Sequence, residues 1–184
     1  MKGQETRWVV PGLTGLAWRN LGIAFAVLLL VSLGLFNIFR DRSSDEAVMR
    51  EIISGHVRSM MVDHLTDVPS TDQHTVKPWF NGKLDFSPEV RDLSHEGYTL
   101  IGGRLDYIGN SPAAALVYQR RKHIINLFLW RSPQEADSPE RLLAQQGYNL
   151  ARWTKGGITY WAISDINMTD LQDFAQALQR PAQG

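Results

Sequence analysis

The pattern of apolar and polar residues divides the chain into one long uncharged run and a series of shorter apolar segments. The run covers Leu21–Phe39, with Arg19 before it and Arg40 after it. As a helix it is roughly 28 Å long, close to the roughly 30 Å hydrocarbon core of a bilayer. A cleaved signal peptide fits less well because bulky residues follow the run, and a buried core helix rarely has so long an uncharged stretch. The run therefore predicts a single transmembrane helix.

Two further helices are predicted beyond this run. After a polar spacer at Arg40–Asp45, apolar residues recur three and four positions apart from Asp45 to Leu65, which is typical of an amphipathic helix. The same spacing predicts a helix at Thr169–Leu178, capped by Asn167 or Thr169.

Between these helices, apolar runs bounded by turn signals predict strands. A Gly102-Gly103 pair inside the first of them indicates a bulge or a close approach of two backbones, whereas Pro133–Gln146 has a short helical pattern. The fold class expected is α+β, with one transmembrane helix followed by an antiparallel sheet of about five strands and flanking helices. The predicted strands are Tyr98–Tyr107, Ala113–Gln119, Ile124–Trp130, Tyr148–Thr154 and Ile158–Ser164.

The stretch from Val68 to Leu93 shows no periodicity and contains three prolines, which predicts a long loop. Ordered loops of this length are commonly functional. Its aromatic residues indicate that it is pinned onto the domain. The candidates for binding a partner are Asp72, His74, Lys77, Trp79, Phe80 and Asn81.

The amino-acid composition argues against several classes of function. The 184 residues include 19 Lys and Arg, 19 Asp and Glu, and no Cys. A net charge of zero argues against direct nucleic-acid binding, which needs a basic surface. The absence of Cys excludes disulfides, thiol catalysis and Cys-ligated metal sites.

One group of residues has the spacing of a metal site. His56, Met60 and His64 lie four residues apart on one face of the predicted helix, and imidazole with thioether ligands would suit copper. The same spacing serves a helix packed on a sheet, with methionine filling gaps, and this second interpretation is favoured, so no metal is assigned.

Evidence for catalysis is weaker still. Asp72 and His74 could form a carboxylate–histidine pair, but no nucleophile in a catalytic context accompanies them. The sequence therefore predicts a protein that is not an enzyme and has no cofactor.

The charges that flank the uncharged run favour one orientation. Lys2, Arg7 and Arg19 precede it against Glu5 alone, and positive segments stay on the cytoplasmic side. The expected organisation is a cytoplasmic tail at 1–20, the membrane helix at 21–39 and an α+β domain at 40–184.

Three stretches carry a resemblance to a known family. They include DQHTVKPWFNGKLDF (Asp72–Phe86), GGRLDY (Gly102–Tyr107) and GYNLARWTKGGITYWAISDIN (Gly147–Asn167), of which the first two are distinctive. With them, the chain resembles the membrane-anchored anti-sigma factors of proteobacteria, also called transmembrane transcriptional regulators. The resemblance implies an inner-membrane protein with its N-terminus in the cytoplasm and its α+β domain in the periplasm.

Members of that family also carry a cytoplasmic zinc-type domain that binds a sigma factor. Here about 20 residues precede the predicted span, without Cys or His, so two alternatives stay open: an N-terminal truncation, or reuse of the periplasmic module. The function expected is a regulator whose periplasmic domain binds a signal or a protein partner. The alternative is an accessory single-span subunit of a larger respiratory or transport complex in the membrane.

Overall fold

The computed structural model describes residues 15–61 and 64–181, and within its first helix it describes the side chains at 18, 20, 22–33 and from 45 onward. The chain divides into two compact units, Met1–Glu46 and Ala47–Gly184. The expected tail at 1–20 lies mostly outside the described residues.

Three α-helices occur in the described residues: α1 (Gly15–Met61), α2 (Gln73–Trp79) and α3 (Met168–Gln179), with a 3₁₀ turn at Ser94–Glu96. Helix α1 contributes residues to both units and includes the Arg40–Asp45 segment that was expected to be a spacer. It ends at Met61, before the predicted Leu65. Of the predicted span, the side chains at 21 and 34–39 lie outside the described ones. A search of the described residues finds no helix with the length and apolar character needed to cross a bilayer.

The described part of the chain forms one antiparallel sheet of seven strands, so the expectation of about five was wrong. Their spatial order is β1-β2-β3-β4-β7-β6-β5. The five predicted strands correspond to β2, β3, β4, β6 and β7. The strands are β1 (Val68–Pro69), β2 (Thr99–Ile108), β3 (Ser111–Arg120), β4 (His123–Arg131), β5 (Ser138–Gln145), β6 (Tyr148–Lys155) and β7 (Ile158–Ser164).

The two strands that sequence analysis missed form the edges of the sheet. Strand β5 replaces the helical pattern expected at Pro133–Gln146 and pairs with β6. Its adjacent Leu142 and Leu143 pack against opposite faces of the sheet, as neighbouring residues of a strand do. A loop was expected from Val68 to Leu93. Strand β1 forms the first two residues of this stretch, and α2 forms a later part of it.

Both faces of the sheet are covered. On one face, α2, α3 and the 84–93 segment enclose a core that includes Phe80, Leu116 and Phe174. On the other, the part of α1 from Ala47 onward packs Ile52 and Ile53 against the sheet. The central strands β3 and β4 are therefore apolar on both sides, as their sequences indicated.

The glycine pair in β2 confirms both features that were expected of it. The register of β2 against β3 shifts between Leu100 and Gly102, which marks a bulge. Gly102 has a φ of +151°, and a Cβ there would collide with the Val68 carbonyl oxygen. A Cβ on Gly103 would lie 2.9 Å from Phe80 Cζ. The absence of side chains at this pair thus lets β1 and α2 pack closely on the sheet.

Candidate functional site

The residues proposed for partner binding lie on and around α2. This helix is short, with a capping residue at its start and a proline near its end. Asp72 is its N-cap, and Asp72 Oδ1 accepts a hydrogen bond of 2.8 Å from the His74 backbone N–H. Pro78 lies in the last turn of the helix. Asp72, His74, Lys77 and Asn81 are exposed, so four of the six candidates are accessible to a partner.

The two aromatic candidates have different roles. Phe80 is completely buried and packs over Gly103, so it stabilises the core and is inaccessible to a partner. Trp79 is half-buried, with Lys83 Nζ 4.5 Å from its ring centroid. The two rings meet edge to face, with centroids 5.1 Å apart. This anchoring fits the expectation that the segment is pinned onto the domain.

A groove of about 580 Å³ runs beside α2. Its lining includes Gln73 and Lys77 of α2, and the C-terminal end of α3 with Pro181. The segment from Glu89 to Leu93 also lines the groove, and Gln73 Oε1 accepts a 3.2 Å hydrogen bond from the Asp92 backbone N–H. Of the candidates from sequence, Lys77 is the one that lines this groove.

Arg91 joins the Glu89–Leu93 segment to the C-terminal end of α3. Its Nη1 donates to the carbonyl oxygens of Ala177, Leu178 and Arg180 at 2.9, 2.9 and 2.7 Å. A cation at this place satisfies the free carbonyls at the end of α3 and complements the helix dipole. Tyr118 holds the same segment by donating a 2.9 Å hydrogen bond to the Arg91 carbonyl.

The charges that line the groove are balanced. Hydrogen bonds from the side chain and backbone of Ser94 lower the pKa of Asp92, which keeps this carboxylate ionised. Arg180 Nη1 lies 3.2 Å from Glu96 Oε2 across the rim. Such a mixture suits a protein surface of mixed charge better than a polyanion. The lining cations are Lys77, Arg91 and Arg180, and the lining anions are Glu89, Asp92 and Glu96.

A second polar cluster is buried between α1 and the other face of the sheet. Arg104 of β2, with a side chain only 2% exposed, donates through Nε and Nη2 to Asp106 Oδ2, each at 3.3 Å. Its Nη1 donates to the Leu65 carbonyl at 3.2 Å and to Asn126 Oδ1 at 3.3 Å. Burial lowers the pKa of Arg104, and the charge of Asp106 opposes that effect.

His56 is the α1 member of this cluster. Asn126 Oδ1 accepts from Arg104, and this fixes the orientation of the amide. The Asn126 Nδ2 group therefore donates to His56 Nδ1 at 2.9 Å and to Ser59 Oγ at 3.1 Å. The neutral imidazole therefore carries its proton on Nε2, which is buried without a hydrogen-bond partner among the described residues. Burial first, and then the charge of Arg104, lowers the pKa of His56 from 6.5 to about 4.

The spacing that suggested a metal site does not place its three residues in one environment. His56 is 1% exposed and faces the sheet, whereas Met60 is 46% exposed. His64 is exposed, and its Nε2 lies 3.5 Å from Asp67 Oδ1. The described residues contain no group of three His, Cys, Asp or Glu side chains arranged to hold a metal ion.

Sequence reasoning missed both Arg91 and the buried cluster around Arg104. A usable signal existed for the cluster, since Arg104 and Asp106 are two residues apart on a strand and so share one face. For Arg91, Glu89 Oε1 two residues away lies 3.6 Å from its Nε, but the carbonyl oxygens that accept from its Nη1 belong to residues 86 or more positions away and could not be read from the sequence.

Known proteins provide no further guide to this arrangement: no protein-family profile, no curated protein and no solved structure matches the chain.

Proposed function

We propose that the chain is a membrane-anchored, non-enzymatic regulator of the kind represented by transmembrane anti-sigma factors. In this proposal residues 1–20 lie in the bacterial cytoplasm, residues 21–39 cross the inner membrane, and residues 40–184 form a periplasmic domain. That domain binds a protein partner and changes the activity of the regulator. The resemblance of the Asp72–Phe86 and Gly102–Tyr107 strings supports this assignment.

The observation that carries the membrane anchor is the exposure of apolar side chains along α1. Phe25, Leu28 and Leu30 are 64, 68 and 71% exposed, and every residue from 22 to 33 is exposed. Burying one such side chain yields roughly 1.5–3 kcal/mol, so water is an unfavourable environment for the stretch. The hydroxyl of Ser32, a polar residue of the stretch, donates a hydrogen bond to the Leu28 carbonyl, so this donor is satisfied within the helix.

The surface proposed for the partner is the groove beside α2. It contains Lys77 and has three cationic and three anionic residues in its lining, and this arrangement favours another protein over a nucleic acid. The exposed candidates Asp72, His74 and Asn81 extend the same surface along α2 and its ends. Trp79, half-buried beside them, adds an aromatic contact of the type enriched in protein interfaces.

Co-purification in mild detergent tests the proposal. We expect the unaltered chain to be recovered from membranes together with a protein partner. The K77E variant should reduce that recovery at least about fivefold, since a like-charge contact costs on the order of 1 kcal/mol or more. The matched control is K122E, which reverses an exposed lysine in the turn between β3 and β4, outside the groove lining.

The identity of the recovered protein separates the regulator from its alternative. A sigma factor among the recovered proteins supports the regulator. A stoichiometric integral-membrane complex supports an accessory subunit instead. Recovery without a partner, or from the soluble fraction alone, contradicts both functions.

A further inference from the structure

The C-terminal part of α1 is attached to the sheet by two kinds of contact. Ile52 and Ile53 are buried against the sheet, and the polar cluster joins His56 to β4 through Asn126. We propose that His56, Asn126 and Arg104 form an acid-sensitive latch, and that protonation of His56 releases helix residues 47–61 from the sheet. This proposal concerns the domain from Ala47 onward and does not depend on the membrane anchor.

The latch depends on the direction of its hydrogen bonds. His56 Nδ1 accepts from Asn126 Nδ2, and Asn126 Oδ1 accepts from Arg104 Nη1. Protonation turns Nδ1 into a donor, so two donors then face each other at 2.9 Å. Rotating the Asn126 amide would relieve this conflict only by turning its NH₂ group toward the Arg104 guanidinium. The conflict is thus removed when the helix moves away.

The charges around His56 favour its neutral form in the packed helix. Arg104 opposes a positive imidazole, and Asp165 favours one. Asp165 Oδ1 also lies 2.8 Å from His123 Nδ1, and the Asp106 carboxylate accepts hydrogen bonds from Arg104. From β6, Tyr148 places its ring 5.2 Å from the imidazole, edge to face. Two further charged groups act on Arg104. Arg58 disfavours its charged form, and Asp67 favours it.

Release of this helix segment can be a local event because side chains alone attach it to the sheet. The segment shares no backbone ladder with the sheet, whose strands pair with one another. The core on the other face, under α2 and α3, contains none of its residues. The segment can therefore open while the strand pairing and the opposite core persist.

The size of the effect follows from the two protonation states. The pKa of His56 is about 4 in the packed helix and 6.5 in the released one. Between these values the released state binds more protons than the packed state. The attachment of the helix therefore weakens as the pH falls below 6.5. The released fraction should rise roughly 30-fold from pH 7.5 to pH 5.

The chain contains no cysteine, so the release can be measured by labelling a single cysteine introduced at a chosen position. I53C places a thiol on the sheet-facing side of α1, and L116C places one in the core of the opposite face. In the full-length chain in detergent micelles, 4,4′-dithiodipyridine labelling is measured at pH 7.5 and 5, relative to the same variant in urea. We expect a roughly 30-fold gain in labelling between pH 7.5 and pH 5 for the I53C variant only.

The H56Q variant supplies the decisive control. Its amide oxygen can accept from Asn126 but does not titrate, so labelling of the I53C probe should be independent of pH. The H95Q variant, which changes an exposed histidine, should keep the full response. If H56Q does not fold, the parent and H95Q profiles still test the latch. A flat profile in the parent, equal acceleration at both probes, or an unchanged response in H56Q would overturn it.

Discussion

Arg104 brings a charge into the domain interior and ties three parts of the chain together. It contacts Asp106 in its own strand, Asn126 in β4 and the Leu65 carbonyl after α1. The guanidinium also lies 5.3 Å from the Phe128 ring centroid, where it gains a cation–π contact. A side chain with several donors in a fixed fork is suited to this position, and lysine is not.

Replacing this arginine should therefore be costly. R104A leaves the Asp106 carboxylate without its cation and removes a donor from the Leu65 carbonyl and from the buried Asn126 side chain. We expect a loss of about 3–5 kcal/mol in the free energy of unfolding, measured by urea denaturation at neutral pH. K122A, at an exposed turn position, should stay within about 0.5 kcal/mol of the parent. Equal losses in the two variants would contradict the role given to Arg104.

At the scale of secondary-structure elements, the local sequence predicted some segments correctly and others incorrectly. Helix α3 was predicted, and of its two candidate caps the structure uses Asn167. Asn167 Oδ1 accepts from the Asp170 backbone N–H at 2.8 Å, and Asn167 Nδ2 donates to Asp170 Oδ2 at the same distance. Helix α2 was missed because Pro78 indicated a loop. Its Asp72 cap and the buried pair Val76 and Phe80, four residues apart, were signals for a helix of two turns.

The cap of α3 gives a test at this scale. N167A removes the side-chain acceptor at the start of the helix and its bond to Asp170. We expect the free energy of unfolding to fall by about 1 kcal/mol, read from urea denaturation with the far-UV signal. Q176A, at an exposed position inside the same helix, is the control and should change stability by less than about 0.5 kcal/mol. A stability of N167A equal to the parent would show that the cap bond contributes nothing.

At the scale of the whole molecule, the sheet needs a cover on each face. Helix residues from Ala47 to Met61 supply that cover for Ile108, Phe128 and Trp161. This is why the second unit begins at Ala47 and not after α1. The α+β class was predicted correctly, and the covered faces explain why β3 and β4 have few polar residues.

Two fragments test this boundary. Residues 47–184 should fold in detergent-free buffer as a monomer with one cooperative urea transition. Residues 62–184 expose the apolar face under α1 and should aggregate or lose the cooperative transition. Size-exclusion chromatography with light scattering, followed by denaturation, measures both outcomes. Comparable monomers and equal stabilities would mean that α1 does not belong to the folded domain.

The sequence by itself determined the apolar run, the helical period of Asp45–Leu65, the five inner strands and helix α3, because these depend on residues close together in the chain. Only the tertiary structure decided the edge strands, the groove beside α2 and the contacts of Arg91 and Arg104. Strand β5 is a strand because β6 offers it backbone partners and because the sheet has apolar cores on both faces for Leu142 and Leu143. His56 shows the same limit: its spacing with Met60 and His64 was visible in the sequence, but its bond to Asn126, 70 residues away, exists only once the sheet has formed.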